Sequence, residues 1–203
     1  MFKDLLADPG VTEVLDLRSS FGIMAFHGGH LEKVTDLIAD EVAEATNSSY
    51  YGVIHGEEVT THVPSKLVDP AHSSSLAAFI DHVDVAVAIH GYGRESLRRV
   101  LLLGGSHRRL AAHLSQQFAS DLPDYESRDD LGNIPPELRG VHPDNPVNRA
   151  RFGGVQIELP PTLRWNWNDK NWSDHGEAGR APQVDQFIAS FKTAISTWPQ
   201  PNP

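Results

Sequence analysis

The sequence predicts an α/β layered domain. Three observations carry that expectation. From Gly22 to about Ser120, strand-like and helix-like patterns alternate. Three apolar segments run into glycine, at His27-Gly28-Gly29, His90-Gly91 and Gly104-Gly105. In residues 83–89, Val83, Val85, Val87 and Ile89 alternate with Ala86 and Ala88, the pattern of a strand covered on both faces. A chain of 203 residues is long enough for one domain, residues 1–203, with a well-buried core.

The elements follow in order. Residues 22–26 read as a short buried strand that stops at His27 and turns on two glycines. Residues 31–45 read as a helix entered at Glu32, with Leu31, Val34, Leu37, Ile38, Val42 and Ala45 at helical spacing. Residues 50–55 and 58–63 flank His55-Gly56-Glu57, a plausible hairpin turn. Ser73-Ser74-Ser75 can cap a helix over 76–82. The strand over 83–89 follows, then one over 100–103. Leu110, Leu114 and Phe118 mark a helix over 109–119. Residues 121–149 are rich in Pro, Asp, Asn and Gly and read as a long loop, a length that is often functional. Residues 155–159 form a strand. The stretch 165–180 is polar and aromatic without clear periodicity. Val184, Phe187, Ile188, Phe191, Ile195 and Trp198 mark a C-terminal amphipathic helix, and the Pro-rich residues 199–203 read as a frayed tail.

Composition narrows the function. Hydrophobic residues make up 39% and charged residues 22%, as in a globular protein. The net charge of −10 argues against binding nucleic acid through a broad basic surface. No apolar run is long enough to cross a bilayer, and Met1-Phe2-Lys3-Asp4 does not open a secretory signal. With no cysteine in the chain, any metal must be held by nitrogen and oxygen. Eleven histidines are many for this length and raise the chance of accidental pairs.

In open α/β sheets, ligands bind beyond the carboxyl ends of the strands. His27 and His90 each stand at such an end, and Glu32 follows five residues after His27. Two neutral imidazoles and one carboxylate make a three-ligand zinc set that leaves a fourth position for water. The same spacing fits satisfied core histidines and a glutamate favoured by the helix dipole. His30 competes as a ligand through His27-x-x-His30, or lines the substrate entrance. Glu158 shares a strand face with Gln156, opposite Val155 and Ile157. A carboxylate so placed needs a partner or a role. Beside an activated water it serves as general base and then as proton donor to a leaving amine. The alternative is an ion pair with a nearby arginine. Arg149 and Arg151 can each hold a substrate carboxylate through two parallel hydrogen bonds, or lie solvated on the surface.

Together these residues resemble the poly-γ-glutamate hydrolase family of phages and bacteria. The elements that carry the resemblance are His27-Gly28-Gly29-His30-Leu31-Glu32, Ser48-Ser49-Tyr50-Tyr51, Ala88-Ile89-His90-Gly91, Leu103-Gly104-Gly105, and Asn148-Arg149 through Gly154-Val155-Gln156-Ile157-Glu158-Leu159. They cover roughly residues 20 to 165 in the family's order. The resemblance implies an open mixed sheet with helices on both faces, like a compact zinc carboxypeptidase. It implies one zinc held by His27, Glu32 and His90, with Glu158 as general base and Arg149 on a substrate carboxylate. The implied activity is hydrolysis of γ-glutamyl amide bonds in an acidic or polyglutamate-type substrate. Other acidic amides (N-acyl amino acids, peptidoglycan fragments) and a non-catalytic binding role on the same fold remain alternatives. With no secretory signal visible, the expected setting is cytoplasmic, or release by lysis if phage-derived; the sequence leaves the oligomeric state open, and a monomer is assumed. Three features depart from the family pattern: His30 replaces a small residue, Thr61-His62-Val63-Pro64-Ser65 replaces a more Thr/Ser-rich stretch, and the Trp-rich residues 164–175 have no counterpart.

Overall fold

The computed structural model of the chain describes residues 1–199. The expected frayed tail falls almost wholly on residues 200–203, outside the described residues. The elements are α1 (Phe2–Leu6), β1 (Val11–Asp16), β2 (Ser19–Gly29), α2 (Thr35–Ala45), β3 (Ser48–His55), α3 (Ser74–His82), β4 (Val85–Gly91), β5 (Val100–Leu103), α4 (Arg108–Asp121), β6 (Glu126–Arg128), β7 (Gly154–Leu159), α5 (Pro161–Arg164), β8 (Trp165–Asn166), β9 (Asn171–Trp172) and α6 (Pro182–Thr197).

Seven strands form one mixed sheet in the order β1-β3-β2-β4-β7-β5-β6. The four central strands β3, β2, β4 and β7 run parallel. Antiparallel pairing flanks them, with β1 on β3 and β5 on β7. Strands β2, β3 and β4 alternate their side chains between two apolar layers, whereas β7 sends Val155 and Ile157 into one layer and turns Gln156 and Glu158 to the other face. On one face Ile23, Val87, Ile89, Val155 and Ile157 pack against Ile38 and Val42 of α2, Leu114 and Phe118 of α4, and Phe187 and Phe191 of α6. On the other face Met24, Tyr51, Ala86 and Ala88 pack against Phe2 and Leu5 of α1 and Leu76 and Phe79 of α3. The sheet is therefore covered on both faces, and its valine-, isoleucine- and alanine-rich strands follow from that double burial.

The strands at 100–103 and 154–159 and the helices at 74–82 and 182–197 lie close to their expected spans. Ser73 caps α3 by accepting a hydrogen bond from the Leu76 N–H at 2.9 Å. Four expectations are corrected. β2 does not stop at His27 but runs on to Gly29. The following helix begins at Thr35, so Glu32 lies in the turn before it; Val34 takes a left-handed conformation, which delays the helix. Residues 58–63 form no strand, because the edge of β3 that a hairpin would use is taken by β1, from the unpredicted N-terminal segment. Residues 121–149 are not featureless. They hold β6 and short 3-10 turns, and Tyr92, Val100, Leu102 and Ile134 pack them onto the sheet.

No helix among the described residues is long and apolar enough to cross a membrane.

Candidate active site

β2 and β4 are parallel neighbours, so their carboxyl ends open on the same edge of the sheet. β7 joins β4 in register, with His90 opposite Glu158. His90 and Glu158 thus come side by side simply because each occupies a matching position on adjacent strands.

His27 reaches the same place by a less regular route. Between β2 and β3 the pairing passes from Ala25↔Gly52 to Gly28↔Ile54, so one strand spends three residue steps while the other spends two. This is a β-bulge, and a bulge re-aims the side chain it carries. Both Phe26 and His27 bring their rings to His90, at centroid distances of 5.7 and 5.1 Å. Gly29 closes the bulge with φ +70, and a Cβ there would lie 2.3 Å from the His55 carbonyl oxygen. Only glycine satisfies both demands without strain.

Glu32 is held back over the strand ends by the turn. The Glu32 N–H donates to the His27 carbonyl at 2.8 Å, and the Thr35 hydroxyl donates to the Glu32 carbonyl at 2.7 Å. Its two carboxylate oxygens then divide. Oε1 lies 2.8 Å from Nδ1 of His27, while Oε2 lies 3.4 Å from Nδ1 of His90 and accepts the Gly91 N–H at 2.8 Å. The other nitrogen of His27, Nε2, donates to the Val63 carbonyl at 2.9 Å. That bond fixes the ring orientation and leaves Nδ1 facing the carboxylate, so a cation, either a proton or a metal, must sit between them.

The electrostatics agree. Burial opposes charge on His27, but the Glu32 charge and its hydrogen bond outweigh burial and raise the imidazole pKa. For Glu32 itself burial also disfavours the charged form, yet His27 and His90 hold the carboxyl well below its ordinary range. This chemistry of two Nδ1 atoms and one ionised carboxylate fits a divalent transition metal.

Glu158 is 4% exposed, and burial pushes its pKa up to about 7. Gln156 donates to its Oε1 at 2.8 Å, and Asn145 donates to the Gln156 side-chain oxygen at 2.7 Å. The carboxyl is therefore oriented by a chain of amides rather than neutralised by an arginine. His27, Glu32, His90 and Glu158 line one cavity of about 580 Å³, whose opposite wall comes from residues 136–145.

The remaining expected site residues separate. His30 is exposed, its backbone N–H is bonded to the His55 carbonyl, and it lines a depression beside Glu32 and Arg164. Arg149 faces Asp69 at 3.9 Å and lines a different depression, which shares Lys66 with the cavity of the histidines. Arg151 pairs with Asp84 at 3.4 Å, just before β4 begins and at the opposite end of that strand from His90.

Three residues with no expected role lie at the site. His62 places its ring 4.4 Å from that of His27. Arg164 is 4% exposed; its guanidinium packs against Gly91, where a Cβ would lie 2.5 Å from Cζ, and donates to the Lys33 carbonyl at 2.9 Å. Burial lowers its pKa to about 10. Asn145 orients Gln156. None lies in a periodic pattern that would single it out, and the sequence offered Glu158 an arginine partner rather than the amide relay found here. The Trp-rich segment forms the small β8–β9 hairpin. Trp165, Trp167 and Trp172 line a further depression, and Trp172 takes the Arg164 guanidinium on its ring at 4.9 Å.

A family profile described as poly-gamma-glutamate hydrolase matches residues 3–190. Among solved structures, the chain is similar to a bacteriophage poly-gamma-glutamate hydrolase, with a TM-score of 0.77 and 21% identity over 92% of this chain and 88% of that one. It is similar to YNDL in an apo, zinc-free form, with a TM-score of 0.77 and 20% identity over 94% and 92% of the two chains. An N-formylglutamate amidohydrolase from Ralstonia eutropha shares the fold more distantly, at a TM-score of 0.54 and 10% identity over 92% and 96%. None of the curated proteins compared matches the sequence.

Proposed function

The chain belongs to the poly-gamma-glutamate hydrolase family, and from that premise we propose that it is a zinc-dependent hydrolase of γ-glutamyl amide bonds, with poly-γ-glutamate as substrate. The observation that carries this reading is the convergence of the His27 and His90 imidazoles on the two oxygens of Glu32, in one cavity with a buried, unpaired Glu158. In this reading His27, Glu32 and His90 hold the ion, and the zinc-free form named for YNDL supports zinc as its identity. When bound, the ion supplies a Lewis acid for the scissile carbonyl and makes water a nucleophile near neutral pH.

The protein's own groups carry the proton. Glu158, with a pKa raised to about 7, is poised to accept a proton from water and to return it to the departing nitrogen. The Asn145–Gln156 relay keeps one carboxylate oxygen fixed while the other is free to move that proton. His27 is held by Val63 and cannot turn away from Glu32. Arg164 contributes positive charge behind the strand ends, where an acidic substrate benefits from it. Arg149 and His30 stand at the rims of the adjoining depressions and are the candidates for contacting substrate carboxylates. Arg151, paired at the far end of β4, takes no part in this reading.

The test is release of new amine ends from poly-γ-glutamate by the zinc-loaded protein, with an N-acyl glutamate and a γ-glutamyl peptidoglycan fragment alongside. Cleavage of the polymer supports the proposal. Cleavage of only a small acidic amide moves the substrate to that class. A metal-loaded protein inert on all three is a binding protein on a hydrolase fold.

A further inference from the structure

We propose that His62 is a fourth, displaceable ligand of the metal centre, an inference that rests on reading His27, Glu32 and His90 as that centre. His62 lies on the segment that follows β3, which has no regular secondary structure. The segment is nevertheless pinned beside the site. The next residue, Val63, is fully buried, and its carbonyl receives the His27 Nε2–H bond at 2.9 Å. Any movement of this anchor moves His27 and His62 together.

The geometry points at the ion rather than at casual stacking. One ring nitrogen of His62 lies within 4.8 Å of donor atoms on both His27 and Glu32, and those two donors lie within the same distance of each other. His90 stands outside this trio, with its Nδ1 3.4 Å from Oε2 of Glu32. The four donors differ in one respect: His27 and His90 are buried and Glu32 nearly so, whereas His62 is exposed. It lines the cavity itself, on the solvent side of the other donors.

If His90 joined these three, the four nitrogen and oxygen donors would match the coordination number zinc prefers and would leave no position for water. His62 would then have to give up its place before a substrate could be held there. A solvent-exposed ring on an irregular segment can swing out at little cost, whereas buried His27 and His90 cannot. The resting protein would hold its metal through four side chains, and an incoming amide would displace His62.

Cobalt(II) substitution reads this directly, because its visible absorption reports coordination number. The comparison is between the wild type, His62→Ala and His62→Cys, each stripped with chelator and titrated with cobalt and with zinc. His62 is exposed, so both variants are expected to fold, and circular dichroism checks that they do. His62→Ala should bind metal at least roughly tenfold more weakly, the scale of losses around a metal's ligand shell, and should change the cobalt spectrum. His62→Cys should gain a sulfur-to-cobalt charge-transfer band, which arises only if position 62 reaches the ion. A wild type that binds one equivalent, with an unchanged affinity and spectrum in His62→Ala and no new band in His62→Cys, overturns the inference and leaves the three-residue centre intact. A wild type that binds no cobalt or zinc overturns the centre, and this inference with it.

Discussion

Glu158 shows how far a single side chain's chemistry is set by its neighbours. Its place on β7 is legible in the sequence, since alternation alone sets it beside Gln156 and away from Val155. Its reactivity is not legible, because that depends on burial and on the amide relay from Asn145, which is distant in sequence. Replacing it tests the assignment: Glu158→Gln should lower kcat by roughly 10²- to 10⁴-fold, the usual weight of a general base, while metal content stays the same. Retained activity would remove Glu158 from the mechanism. His27 yields a second prediction. With Nε2 donating to the Val63 carbonyl and Nδ1 2.8 Å from Glu32, a proton sits between Nδ1 and the carboxylate in the metal-free protein, and that pairing raises the imidazole pKa. Metal must displace that proton, so apparent affinity should fall as pH falls. Calorimetric titrations of the stripped protein with zinc at pH 6–7, in buffers of different ionisation enthalpy, should show proton release. No release would mean that His27 is not a ligand. Arg164 and His62 escaped the sequence reading for a common reason: each lies in an aperiodic segment, and only the tertiary fold brings it to the strand ends.

At the scale of elements, the strands over 100–103 and 154–159 and helices α3 and α6 were legible because long apolar patterns and a serine cap mark them. The bulge in β2 was not, since nothing in Ala25-Phe26-His27-Gly28-Gly29 announces an unpaired residue, yet it is what turns His27 toward His90. Gly29→Ala therefore has a specific expected outcome. The left-handed backbone and the nearby His55 carbonyl oppose a Cβ, so stability should drop by more than about 1 kcal/mol and metal affinity should fall with it. Denaturant unfolding and zinc titration of the same variant check both; an unchanged affinity would separate the bulge from the site. Helix α4 offers a pH test. His107 caps it, with Nδ1 accepting the Leu110 N–H at 3.2 Å, which requires the neutral ring. Burial lowers its pKa below the ordinary 6.5. The unfolded chain thus binds this proton more readily than the folded one. The cap's contribution is complete above pH 6.5 and is lost as pH falls through the lower folded value. Wild type and His107→Ala should differ in unfolding free energy more at pH 8 than at pH 5.

For the whole molecule, a doubly covered α/β sheet is legible in the sequence, but the strand order and the N-terminal edge are not. The order depends on which strands meet across long separations, and that information is spread over the whole core. Global charge poses its own question. At −10 the protein repels a polyanion at long range, and salt screens that repulsion beyond about 8–10 Å. Raising ionic strength from low values toward 0.15 M should therefore increase kcat/KM on poly-γ-glutamate; a decrease would mean that a local basic groove dominates capture. The central claim is that His27, Glu32 and His90 form the catalytic metal centre. Zinc titration of chelator-stripped wild type and Glu32→Gln, with poly-γ-glutamate cleavage read at each addition, tests it most directly. Activity should rise to a plateau at one zinc per wild-type chain, and folded Glu32→Gln should neither bind this zinc nor recover. Full activity in the stripped protein, or equal zinc binding and recovery by Glu32→Gln, would contradict it.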